Sequence, residues 1–136
     1  MKILVSRCLL GERCRYDGKC IPDESVIAMG KEHTLIPVCP EMLGGLPCPR
    51  TPCEVQPDGR VLAKDGTDRT AEYTAGAREA LRICLENGCE KAILKARSPS
   101  CGKGIIYDGT FTGALHEGNG VTAALLEENG IEVENR

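Results

Sequence analysis

"LENGCEKAILKARSPSCGKG", Leu85 to Gly104, decides the fold. It opens as the end of a helix, with Gly88 at the stop, because glycine takes the left-handed turn there without strain. An apolar run, "KAILKA", follows at once and reads as a short buried strand. The strand then gives way to "SPSCGKG", an irregular loop of small residues that lets another group approach the backbone closely. Helix, strand and functional loop in immediate succession are the repeating unit of an α/β domain.

The same alternation recurs on both sides of this stretch. "DRTAEYTAGAREALRICLENG" (68–88) is a helix with apolar positions at Ala77, Ala80, Leu81, Cys84 and Leu85. "KILVS" (2–6), "TLIPV" (34–38) and "IEVE" (131–134) are strands, and Pro37 marks the second as an edge or a strand end. Asp23 caps a helix over about 24–31, and "GNGVTAALLEENG" is a helix closed by Gly130. Residues 42–60 carry Gly44, Gly45, Pro47, Pro49, Pro52 and Pro57 and are expected to form a long loop. The expectation is a single domain over 1–136: α/β, a mostly parallel sheet with helices on both faces, Rossmann-like and three-layered. The pattern does not encode strand order.

Composition narrows the function. With no Trp, one Phe and three Tyr, the core must be aliphatic, and bases have few rings to stack on. Net charge is −3, with basic and acidic residues interspersed, so nucleic acid is not an expected partner. No stretch approaches the roughly 18 apolar residues of a membrane span, and Arg7 interrupts the N-terminal apolar run, so neither membrane nor signal peptide is expected. The cysteine count, nine, is odd, and 136 residues can bury a core without crosslinks. A reducing cytoplasm, with thiols serving a metal or chemistry, fits better than a disulfide scaffold. Oligomeric state has no signature in the chain.

Ligands of open parallel sheets bind beyond the carboxyl ends of the strands. Three cysteines stand there: Cys8, Cys39 and Cys101. The other six sit in loops or on the helix around Cys84, where a cysteine acts as a small hydrophobe. No C-x2-C pair occurs, against a zinc ribbon or thioredoxin-type chemistry. Three thiolates on an iron–sulfur cluster leave one iron without a protein ligand, an arrangement suited to catalysis. "CPE" adds Glu41, which in extended chain points the same way as Cys39, and "SPSC" adds Ser98 and Ser100 beside Cys101. Glu and Ser also cap turns routinely.

"SRCLLGERCRYDG", "PVCPEMLGGLPCPR", "KARSPSCGKGIIYDGTFTG" and "GNGVTAALL" resemble the family catalogued as domain of unknown function 523, whose characterised members include thiouracil desulfidases. The resemblance covers nearly the whole chain. It implies a 4Fe-4S cluster on Cys8, Cys39 and Cys101, with a small thiolated pyrimidine such as thiouracil as substrate. The sulfur is exchanged for oxygen from water without net redox change and leaves as sulfide. It further implies Glu41 as acid–base group, assisted by Ser100 and Ser98; Cys14 and Cys48 also lie inside family motifs, and each is a candidate for a further ligand. Arg15, Tyr16, Asp17 and Arg50 are candidates for substrate binding. "GNGVTA" lacks the preceding strand of a dinucleotide fingerprint and is read as a helix start whose free N–H groups face the site. The alternative is a non-catalytic module that senses iron or redox state through the same trio. A zinc-stabilised binding domain is a third reading.

Overall fold

The computed structural model describes all residues, Met1–Arg136. In chain order the elements are β1 (Lys2–Ser6), α1 (Glu24–Ala28), β2 (Thr34–Val38), α2 (Pro40–Leu43), β3 (Cys53–Val55) and β4 (Val61–Ala63). Then come α3 (Thr70–Glu86), β5 (Lys91–Leu94), β6 (Ile105–Tyr107), β7 (Leu115–Glu117), α4 (Val121–Glu128) and β8 (Glu132–Asn135). Four strands form one parallel sheet in the order β2-β1-β5-β8. The two central strands are apolar on both faces, as strands covered on both sides must be.

Alternation sorts their side chains. Leu4, Ala92, Leu94 and Val133 face α3 and α4 together with Cys84 and Leu126. Ile3, Val5 and Ile93 face the opposite layer, where Leu9 and Val26 cover them. Helical segments therefore lie on both faces, giving the three layers expected from the sequence. Asp23 caps α1 as read, accepting from the N–H groups of Ser25 and Val26. The helix expected over 24–31 ends at Ala28 and tightens into a 3-10 turn over Met29–Lys31. Pro37 lies on the edge strand β2, where its missing N–H is harmless.

Strand order makes the site. From β1 the chain crosses to β2 on one side, and later returns to β5 on the other. The connections leaving β1 and β5 thus diverge and leave a crevice at the carboxyl ends of these strands, a topological switch point.

Two stretches differ from expectation. Residues 42–60 are not one loop: they hold the end of α2 and the strand β3, which pairs antiparallel with β4. Likewise, β6 and β7 form a hairpin after the Cys101 loop. Three-residue strands are too short to show a period, which is why the sequence hides them. The β7 strand also means that a strand does precede "GNGVTA", contrary to expectation. It lies outside the parallel sheet, so no dinucleotide-binding unit results.

Helices α2 and α3 meet backbone to backbone. A Cβ on Gly44 would lie 1.9 Å from the Glu72 carbonyl oxygen, and one on Gly76 1.9 Å from that of Pro40. Helix propensity alone favours alanine over a helical glycine by about 1 kcal/mol. The overlap reverses that sign, so Gly76→Ala should lower stability by about 1–3 kcal/mol. A lower urea midpoint at unchanged slope checks this; a gain in stability would contradict the close crossing.

Candidate active site

A cavity of about 750 Å³ opens at the switch point, and Cys8, Cys39 and Cys101 all line it. All three thiols are buried. Each is placed by a different element. Cys8 lies in the 3-10 turn Arg7–Leu10 that ends β1, and its carbonyl accepts from Gly11 and Ile21. Cys39 is extended, at φ −128° and ψ 96°, as a residue before proline should be, and its thiol donates to the Cys14 carbonyl at 3.7 Å. Pro40 then opens α2, so "CPE" is not extended throughout. Glu41 enters the cavity from the first turn of a helix, not by strand alternation with Cys39.

Cys101 sits in a loop clamped from several sides. The Ser98 hydroxyl accepts from the N–H groups of Ser100 and Cys101, at 3.1 and 3.0 Å. Asn135 donates to the Cys101 carbonyl, and the Ser6 hydroxyl donates toward its sulfur at 3.7 Å while accepting from Lys95 N–H. The first N–H groups of α4 are not free to face the cavity, contrary to expectation. Those of Val121, Thr122 and Ala123 bond the carbonyls of Pro99 and Ser100. Gly120 permits this docking, since a Cβ there would lie 2.5 Å from the Ser100 carbonyl carbon.

The thiols feel one another. Burial first, and the Glu41 charge next, push the Cys101 thiol up to about 12. Interaction with the Cys14 thiol, reinforced by burial, raises Cys39 well above the ordinary thiol value. The same neighbour holds Cys8 below that value, against burial and the charges of Cys101 and Cys39. Cys14 itself stands at about 11: its contact with Cys39 lowers it, but Cys8 and burial outweigh that. Cys14 and Cys53 also line the cavity, whereas Cys48 does not. The Cys48 thiol donates to the carbonyls of Arg13 and Arg15, clipping the segment that carries Cys14.

Glu41 is anchored by residues the sequence reading did not pair with it. Its Oε2 accepts from Arg50 Nε at 3.1 Å and from the Tyr73 hydroxyl at 2.7 Å. Arg50, a substrate-binding candidate, lines the cavity but is engaged by Glu41 and by the carbonyls of Cys14 and Pro47. Tyr73 is buried, and its phenol is raised far above the ordinary range by burial and the Glu41 charge, so it stays a neutral donor. No sequence signal singled out Tyr73, whose place on the buried side of α3 marks it as core.

Of the other candidates, Arg15, Tyr16 and Ser98 line the cavity. Asp17 stands outside, paired with Arg15 at 3.4 Å. Ser100 lies behind the cavity, fully buried, its hydroxyl 2.7 Å from that of Thr122. Arg7, Lys95, Arg97 and Arg136 also line the wall, which makes it predominantly cationic against Glu41 and Glu54.

This donor set suits a cluster better than a single ion. No three His, Cys, Asp or Glu side chains come close enough together to clasp one metal ion. Soft sulfur ligands and a cationic wall match the softness and negative charge of an iron–sulfur cluster.

A sequence profile of the 2-thiouracil desulfurase family matches residues 3–136. The chain is 40% identical to the uncharacterized protein YbbK of Bacillus subtilis strain 168, over 96% of this chain and 93% of that one. It is similar in structure to the [4Fe-4S]-dependent thiouracil desulfidase TudS, with TM-score 0.93 and 47% identity. That likeness covers 99% of this chain and 90% of TudS.

Proposed function

The chain belongs to the 2-thiouracil desulfurase family, and from that premise we propose that it exchanges the sulfur of a thiolated pyrimidine such as 2-thiouracil for oxygen. Water supplies the oxygen, and the sulfur leaves as hydrogen sulfide, so no net redox change occurs. The observation that carries this reading is the convergence of three thiols, from three strand ends, on one cavity that also holds an anchored carboxylate. Cys8, Cys39 and Cys101 would hold a 4Fe-4S cluster. Such a cluster, when bound, supplies an iron without a protein ligand as acceptor for the substrate sulfur.

The chain's own residues do the rest. Glu41 takes a proton from the attacking water and returns it to the departing sulfur or to the ring. Arg50 balances the carboxylate charge and fixes its place. Ser98 acts through the backbone, by fixing the turn that presents Cys101. Ser100 braces α4 against that turn through Thr122. Arg15 and Tyr16 stand at the cavity wall, where they can contact the substrate. We place the reaction in a reducing cytoplasm, where nine free thiols persist and can serve a metal; no helix of the chain is long and apolar enough to cross a membrane.

The test is direct. Protein prepared without oxygen and loaded with iron and sulfide should release sulfide from 2-thiouracil and form uracil in equal amounts. Loaded protein that desulfurates no thiolated base would instead support a role in sensing iron or redox state.

A further inference from the structure

Glu41 has two carboxylate oxygens, and only one is held. Tyr73 and Arg50 both donate to Oε2, while Oε1 receives no bond from any side chain or backbone donor. The two donors differ in origin. Arg50 follows α2 by a short connection, whereas Tyr73 comes from α3, thirty-two residues away. Its reach depends on the contact between Gly44 and Gly76, since any Cβ there would force α2 and α3 apart. Tyr73 is 1% exposed, so little freedom remains to its ring.

We propose that Tyr73 is a positioning residue for the desulfuration, fixing Glu41 by its Oε2 so that Oε1 is the oxygen that exchanges protons in the cavity. The proposal rests on the reading of Glu41 as the acid–base group. With the Tyr73 hydroxyl in place, two donors from separate elements hold Oε2 and restrict the swing of the carboxylate about the Arg50 contact. Without it, one anchor remains and Oε1 samples several directions. Proton transfer is steep in distance and angle, so turnover suffers while substrate binding does not.

Tyr73→Phe keeps the ring and removes only the hydroxyl. In iron-loaded protein assayed anaerobically with 2-thiouracil, kcat should fall about tenfold, as expected for losing one hydrogen bond to a charged group. KM, iron content and cluster absorbance should stay unchanged. In a Glu41→Gln background the same substitution should have almost no further effect, because the group it positions no longer transfers protons. Equal losses in both backgrounds would make Tyr73 an ordinary packing residue and overturn the proposal. A loss confined to KM, loss of iron, or full activity of Tyr73→Phe beside an impaired Glu41→Gln would overturn it as well. Should Glu41→Gln itself turn over like the unaltered protein, the acid–base reading is what fails, and the positioning role falls with it.

Discussion

Replacing Cys8, Cys39 or Cys101 singly by serine should strip the anaerobically loaded protein of its iron, its acid-labile sulfide and its cluster absorbance. Oxygen is a hard ligand and a poor substitute for thiolate at such irons. Two remaining thiolates cannot hold what three hold, because each side chain comes from a separate loop and fixes a different corner of the site. Burial keeps the Cys101 thiol at about 12, so it has to shed a proton to bind a metal, and a serine hydroxyl is harder still to deprotonate. Cys84→Ala is the control. That thiol is fully buried between α3 and the sheet, on the carbonyl of Cys89 and outside the cavity. Its loss should lower stability by roughly 0.5–3 kcal/mol and leave iron content untouched. Iron loss in Cys84→Ala with the fold intact would sink the assignment of ligands to strand ends.

The gathering of these three cysteines at one cavity was legible because it needs only strand boundaries. Runs such as "KILVS" and "TLIPV" are apolar in a way that fixes their ends, and β1 and β2 span the residues read from the sequence. Once three parallel strands end at Ser6, Val38 and Leu94, the cysteines just beyond them must gather on one side. Side-chain pairings between distant elements were not legible. Tyr73 is not among the apolar positions that mark its helix, and nothing in the sequence shows that its hydroxyl ends at Glu41. That contact depends on how closely α2 crosses α3, and the glycines that allow it are ordinary in sequence. Ser100 is the converse case. Its place beside Cys101 suggested chemistry, yet the turn directs its hydroxyl to Thr122, a partner set by the docking of α4.

The same pairing decides what Glu41→Gln should do. A glutamine carbonyl can accept from both Arg50 and Tyr73 as Oε2 does, leaving its amide group where Oε1 stood. Shape and anchoring survive, but the amide neither takes a proton from water nor returns one at neutral pH. Turnover with 2-thiouracil should therefore fall by about 100-fold or more, the usual worth of a positioned acid–base group. KM should change little, since the substitution leaves the thiols and the cavity wall in place. Arg50 meanwhile loses the anion beside it, and its side chain is only 5% exposed, so stability should also fall. Rates must then be compared per loaded iron, to separate lost chemistry from lost protein. A variant with a full complement of iron and nearly normal turnover would remove Glu41 from the mechanism, since its carboxylate is then dispensable. The thiol site would stand even so, because its geometry depends on strand ends and not on α2.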